Sequence, residues 1–203
     1  MSTNRASNYL AQLHRHLTEA VATDQGGRAL ELEEALDQAG KAAQAATKAG
    51  GTVFFIGNGG SAGIASHMAI DFTKNGGMRA LAFNDGSYLT CLGNDLGFDQ
   101  VFAKPLEMHA RKGDLLIAIS SSGRSANMLN GVDAARKSGC RVLTFSGFSA
   151  DNPLRGRGDF NFYLGSGEYG FVEVGHLALI HTILDLAMGW GREDTSEQAK
   201  AAE

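Results

Sequence analysis

The chain has 203 residues, 43% hydrophobic and 20% charged, with a formal net charge of -4. That is an ordinary globular composition, and it excludes collagen, a disulfide scaffold and wholesale disorder. Mild acidity argues against a broad face for nucleic acid or membrane, but leaves room for a small anionic ligand, which needs only a local site.

Glycine is abundant, at 27 residues against 2 prolines. Many turns are therefore tight, or approach something closely. The length predicts one domain with an appendage. The opening MSTNRASNYLAQLHRH has no apolar signal segment, and no run reaches 18 apolar residues. The expectation is a cytoplasmic protein with no membrane span. Cys91 and Cys140 each lie in an apolar stretch and read as reduced, buried thiols of a cytosolic protein.

Residues 7–22 place Leu10, Leu13, Leu17 and Val21 at helical spacing. Residues 28–49 place Leu32, Ala35, Leu36, Ala39, Ala42, Ala43 and Ala46 on a second stripe, which Gly50-Gly51 ends. Two amphipathic helices thus precede any strand. The alanine stripe suits close packing, against another subunit or against its own domain. Five apolar runs follow, at Thr52–Ile56, Arg79–Phe83, Asp114–Ile119, Arg141–Phe145 and Phe160–Leu164. Helical patterns separate or follow them at 62–74, 98–110, 124–138 and 171–190, with Pro105 weakening the second. Continuous apolar strands alternating with helices predict a parallel sheet covered on both faces. The expected domains are a helical segment at 1–50, a ligand-binding α/β domain at 51–191 and a polar, frayed tail at 192–203.

In open parallel sheets, ligands bind beyond the carboxyl ends of the strands. Two such ends carry unusual loops. Gly57-Asn58-Gly59-Gly60-Ser61 opens a helix, and its glycines let backbone N–H groups approach a ligand at a helix N-terminus. Ser120-Ser121-Ser122-Gly123-Arg124-Ser125 clusters hydroxyls and amides in the same setting. No Walker lysine follows either loop, and the chain reads as lacking a Gly-x-Gly-x-x-Gly fingerprint, so no nucleotide cofactor is expected. Alone, each loop is a helix cap; two in one sheet point to a phosphate ester.

His67 and Asp71 share a helix face at i, i+4. Glu173, His176 and His181 lie in the last helical segment. Glu173 and His181 are about 12 Å apart along a helix axis, so they meet one ion only by reaching toward each other. Buried histidines there need a polar partner. Two histidines and two carboxylates suit zinc or another divalent ion.

GNGGS, His67-x-x-x-Asp71, Gly93-Asn94-Asp95, SSSGRSAN and a late helix with Glu173 and His181 together resemble the SIS-domain phosphosugar isomerases. They are most similar to the phosphoheptose isomerases, which interconvert sedoheptulose 7-phosphate and a glycero-manno-heptose 7-phosphate. The resemblance covers nearly the whole chain. It implies an α/β three-layer sandwich with a mainly parallel five-stranded sheet, the SIS fold, preceded by an N-terminal helical pair. It implies substrate contacts at Asn58, Gly59, Gly60, Ser61, Asn94 and Asp95, with phosphate at Ser120, Ser121, Ser122 and Ser125. The family's metal positions fall on His67, Asp71, Glu173 and His181. The implied assembly is a homotetramer with N-terminal helices in a central bundle and sites shared between subunits.

The chain departs from the family's usual residues in four places. Asp71 stands for Glu, the family's proposed base; Glu173 stands for Gln; Gly170 stands for Asp; and Arg124 stands in the phosphate loop for a small polar residue. An isomerase needs a base for carbon and an acid or base for oxygen. Asp71 or Glu173 is the expected base and His181 the acid, with a divalent metal, zinc by donor type, polarising the oxygens. The competing class is a non-catalytic phosphosugar-binding regulator, similar to the SIS protein that associates with the bacterial replication initiator. Asp71 and His181, absent from that protein, favour catalysis here. A lyase acting on an amino-sugar phosphate ether is disfavoured by length. A small sugar phosphate is the expected partner, with no direct nucleic-acid contact.

Overall fold

The structure is a computed structural model that describes residues 4–191; the tail expected at 192–203 lies outside the described residues. Helix α1 spans Arg5–Thr18, strand β1 Val21–Asp24, strand β2 Ala29–Leu30 and helix α2 Leu32–Lys48. The α/β alternation follows as β3 Val53–Gly57, α3 Gly60–Lys74, β4 Ala80–Ala82, α4 Gly86–Leu96, α5 Ala103–His109, β5 Leu115–Ser120, α6 Ala126–Lys137, β6 Arg141–Ser146, β7 Phe160–Tyr163 and α7 Tyr169–Ala187.

All five expected strands form, and β4-β3-β5-β6-β7 pair in parallel. The sheet nevertheless has seven strands, in the order β2-β1-β7-β6-β5-β3-β4. The added pair is an antiparallel hairpin that attaches β1 to β7. The expectation of two helices before any strand is thereby corrected. Val21, placed on the helical stripe, begins β1 instead, because Asp24-Gln25-Gly26-Gly27 is a turn. Asp24 Oδ1 accepts from the N–H groups of Gly26 at 2.9 Å and Arg28 at 3.0 Å, and Gly27 adopts φ 79°, which a side chain would resist.

Two apolar clusters cover the two sheet faces, and the pleat sorts their members. Phe55, Leu115, Ile117, Ile119, Leu143 and Phe145 face one way, toward Met68, Phe72, Ile180 and Ile183. Phe54, Ile56, Leu116, Ala118 and Val142 face the other, toward Leu106, Met128 and Val132. The result is a three-layer sandwich with α2, α3 and α7 on one side and α5 and α6 on the other. The alanine stripe of α2 is buried within its own chain, so close that a methyl at Gly40 would lie 3.0 Å from the Ile183 carbonyl of α7. In contrast, α1 buries no residue fully, and Leu10 is 62% exposed.

The expected helix at 98–110 is a 3-10 turn at Phe98–Gln100 followed by α5. Pro105 is the third residue of α5, where a missing N–H costs no helical hydrogen bond. Helix α4 was not expected. Its signal is Asp85, whose side chain caps the N–H groups of Ser87 and Tyr88. Helix α7 is long and apolar enough to cross a membrane by length and a hydropathy of 1.3. Its Phe171, Val172, Leu179, Ile180, Ile183 and Leu184 are core residues. Of the cysteines, Cys140 is buried and Cys91 is exposed, correcting the expectation for Cys91. Burial pushes the Cys140 thiol up to about 11.

Two buried polar side chains hold this scaffold. Asn161 on β7 accepts from Thr144 Oγ1 at 2.7 Å and from the Gly158 N–H at 2.8 Å. It donates to the Asp24 carbonyl at 3.2 Å, tying the hairpin to the sheet. His176 on α7 is fully buried; its Nε2 lies 3.1 Å from the Ser146 carbonyl, and its Nδ1 has no partner. That carbonyl needs a donor, so the neutral Nε2–H form is the one that fits. Burial pushes its pKa down to about 4, against the opposing pull of the Ser146 carbonyl.

Asn161→Ala leaves those partners unpaired and is expected to cost about 1–3 kcal/mol. Urea unfolding checks the loss, and amide exchange in Val21–Asp24 should rise first; an unchanged midpoint would refute the role. His176 is neutral when folded and protonates below about pH 6.5 when unfolded. Its stabilisation is therefore complete above that pH and is lost as pH falls toward 4. Between pH 7.5 and 4.5 the wild type should lose roughly 2–3 kcal/mol more than His176→Gln, measured by denaturant unfolding at both pH values.

Candidate active site

Strand order reverses between β3 and β5: β4 lies on one side and β6 on the other. Their register pairs Gly57 with Ile119, so the two loops leave the sheet side by side at its carboxyl end. This is the place where open parallel sheets bind ligands. A cleft of about 220 Å³ forms there, lined by Asn58, Gly59, Gly60, Ser61, Ser120, Ser121, Ser122, Ser125, Tyr169 and Glu173. Every loop residue expected to touch substrate or phosphate lines it.

Local chemistry explains the glycines. Gly59 adopts φ 55° immediately before α3, and Gly123 adopts φ 61° between the serines and α6. A methyl at Gly123 would overlap the Asn152 side chain. Asn152 is itself buried, donating to Ser146 Oγ at 3.2 Å and to the Ser149 carbonyl at 2.9 Å. The Gly123 N–H is folded back onto Ser120 at 3.2 Å. Ser125 stands at the N-cap of α6 without a side-chain capping bond, leaving its hydroxyl for the cleft. The N-termini of α3 and α6 both face this space, adding partial positive charge.

The loops are clamped together. Asn58 Nδ2 donates to Asn127 Oδ1, and Asn127 Nδ2 donates to Asn58 Oδ1, each at 2.9 Å. Asn127 is buried and was not among the expected site residues, although it belongs to SSSGRSAN. Tyr169 was also missed. Its signal was Gly165-Ser166-Gly167-Glu168-Tyr169-Gly170, a Gly-x-Gly-x-x-Gly spacing between β7 and α7 that corrects the reading of the chain as lacking one. Arg124 turns away from the cleft and pairs with Asp151 at 2.8 Å.

The acidic and basic residues divide into two groups. Asp71 Oδ2 lies 3.4 Å from His67 Nε2 and 3.8 Å from His181 Nε2. One ligand atom from each of His67, Asp71 and His181 falls within 4.8 Å of the others. Two imidazoles and a carboxylate, partly exposed and mutually close, fit an open divalent-metal site. Glu173 is not in that group. Its carboxylate lies over the α-carbon of Gly60, where any side chain would overlap it, at the N-terminus of α3. Asn94 and Asp95 lie apart from the cleft. They are exposed at the end of α4, where Asn94 donates to Asp95 Oδ1 at 2.9 Å.

Known proteins are similar to this chain in sequence and fold. The SIS domain family matches residues 8–147. A phosphoheptose isomerase of Citrifermentans bemidjiense is 34% identical over 182 residues, 87% of this chain and 92% of that protein. The structure is similar to that of a phosphoheptose isomerase from Neisseria gonorrhoeae, with a TM-score of 0.78 and 29% identity over 91% of this chain and 98% of the other. A phosphoheptose isomerase from Francisella tularensis superposes with a TM-score of 0.79 and 25% identity, covering 93% and 99%. The chain belongs to the phosphoheptose isomerase family of SIS-domain proteins.

Proposed function

We propose that the protein is an aldose–ketose isomerase that interconverts sedoheptulose 7-phosphate and a glycero-manno-heptose 7-phosphate through an enediol. The observation that carries this reading is one cleft combining a hydroxyl-rich loop, two helix N-termini and the carboxylate of Glu173. Ser120, Ser121, Ser122 and Ser125 hold the phosphate, aided by the amides that open α6. Asn58, Gly59, Gly60 and Ser61 shape the floor against which the sugar lies.

Glu173 is the carboxylate that lines this cleft, so it takes the proton from carbon and returns it to the neighbouring carbon. Asp71 sits between two imidazoles and belongs with them. When no ion occupies its nitrogen, His181 carries the oxygen proton. His67, Asp71 and His181 would hold a divalent cation, zinc by donor type, while Glu173, at the family's fourth ligand position, stands apart from them over Gly60. When bound, the ion supplies Lewis-acid polarisation of the sugar's carbonyl oxygen. The relatives, named as isomerases, do not favour the non-catalytic regulator. A cytoplasmic setting is consistent with a free thiol at exposed Cys91.

The working assembly in this reading is a homotetramer. The stripe of α1, with Leu10 62% exposed, needs a covering surface, and Asn94 and Asp95 would reach a neighbouring subunit's cleft. Light scattering at micromolar concentration should give four chains, and Leu10→Asp should dissociate them; a stable wild-type monomer would refute the assembly.

Substrate C–H exchange in D2O reads the base. Glu173→Gln should lower exchange by at least about 10²-fold while inorganic phosphate still binds. Asp71→Asn should lower metal content, measured by elemental analysis. Exchange surviving in Glu173→Gln but lost in metal-replete Asp71→Asn would transfer the base role to Asp71.

Ser122→Ala and Ser125→Ala should each remove a hydrogen bond to a charged group, worth about 1.5–3 kcal/mol. Calorimetric titration with inorganic phosphate should show at least about tenfold weaker binding, with an unchanged unfolding midpoint. Wild-type binding by both variants would place the phosphate elsewhere.

A further inference from the structure

Among the described residues, Phe148 is the only non-glycine with positive φ, at 55°. A bulky side chain stays in that region only where its surroundings hold it, and such residues gather at functional sites. Here the hold is explicit. The Phe148 N–H donates to the Ser166 carbonyl at 2.9 Å. Its carbonyl accepts from the Tyr163 hydroxyl at 2.8 Å. The Tyr163 ring lies under the Arg155 guanidinium, 4.2 Å from its centroid. The preceding Gly147 is packed against Val172, leaving no room for a side chain.

This backbone aims the Phe148 ring at Tyr169. The two meet edge to face, with centroids 4.9 Å apart and planes at 81°. Tyr169 is 63% exposed and is the one aromatic side chain in a cleft otherwise lined by glycine, serine, asparagine and glutamate. Those polar groups recognise a phosphate and hydroxyls. They offer nothing to the C–H faces of a carbon chain, which an aromatic ring accepts. A ring already propped in place loses little freedom on binding.

We propose that Tyr169 is a substrate-binding residue that stacks against the C–H face of a phosphorylated sugar's carbon chain, with Phe148 as the positioning residue that holds its ring. The inference rests on the reading of this cleft as a phosphosugar site. It makes the aromatic pair an element that separates a sugar phosphate from a bare phosphate, which the serine loop alone treats alike.

The test compares dissociation constants for sedoheptulose 7-phosphate and inorganic phosphate in the wild type and in Tyr169→Ala, Tyr169→Phe and Phe148→Gly. Tyr169→Ala should weaken the sugar phosphate by roughly threefold to tenfold and leave inorganic phosphate unchanged. KM should rise by more than kcat falls. Tyr169→Phe keeps the ring and should restore the wild-type ratio. Phe148→Gly relieves the left-handed strain, so its unfolding midpoint should not fall while its sugar-to-phosphate ratio drops toward that of Tyr169→Ala. An unchanged ratio in Tyr169→Ala, or equal weakening of both ligands, overturns the proposal. A wild type that shows the ratio effect without C–H exchange would refute the isomerase reading and leave the stacking supported. A wild type that binds phosphate but gains nothing from the sugar overturns the stacking.

Discussion

The parallel pairing of β3 with β5 is the constraint on which the site depends. Two strands hydrogen-bonded in the same direction must end on the same side. Their register, Gly57 opposite Ile119, brings GNGGS and SSSGRS out as neighbours. Each loop runs directly into a helix, so two helix N-termini converge where the strand order reverses. The reciprocal Asn58–Asn127 pair then fixes the distance between the loops. Both amides are spent on each other, so they preserve the shape of the cleft, while the serines and free amides remain for a ligand.

The second constraint is how α7 is laid on the sheet. Small residues set its depth: Gly40 and the alanine stripe of α2 on one side, and Gly175 against Leu164 on the other. Buried His176 ties the helix to Ser146 at the end of β6. That attachment fixes the rotation of α7. Glu173, one turn earlier, is thereby carried to the N-terminus of α3, and His181 is carried toward His67 and Asp71. One helix thus delivers a carboxylate to the cleft and an imidazole to the His67–Asp71 pair.

Much of this was legible because apolar runs that must be buried on both faces leave little choice of architecture. The five parallel strands and the two cleft loops followed from such runs ending in glycine and serine. The hairpin β1–β2 was not legible by the same means. Val21 satisfies a helical period as well as a strand, and a two-residue strand such as Ala29–Leu30 has no period at all. Asp24-Gln25-Gly26-Gly27 carried the answer locally, through the Asp24 side chain. Helix α4 was hidden for a similar reason: its start is written in one capping aspartate, Asp85, rather than in a buried stripe. The Gly-x-Gly-x-x-Gly spacing at 165–170 marks a loop before a helix, but not the aim of the Tyr169 ring, which packs on Phe148, twenty-one positions earlier.

The departures from the family's usual residues make physical sense when taken together. The resemblance places Asp at position 170, where this chain has Gly170, and Gln at 173, where it has Glu173. The acid has in effect moved three residues along α7, which on a helix is nearly one turn down the same face. The vacated place is filled from another element. Tyr9 of α1 packs on Phe171 with ring centroids 4.4 Å apart, and its hydroxyl lies where a side chain at Gly170 would project. An aspartate could return there only if the Tyr9 hydroxyl were pushed aside. The relocated carboxylate gains the N-terminal field of α3 and reaches the cleft, where an acid at 170 would meet Tyr9 instead. Substitutions that look like separate losses of the family pattern thus meet at one helix contact, and the charge they move is the carboxylate that lines the cleft.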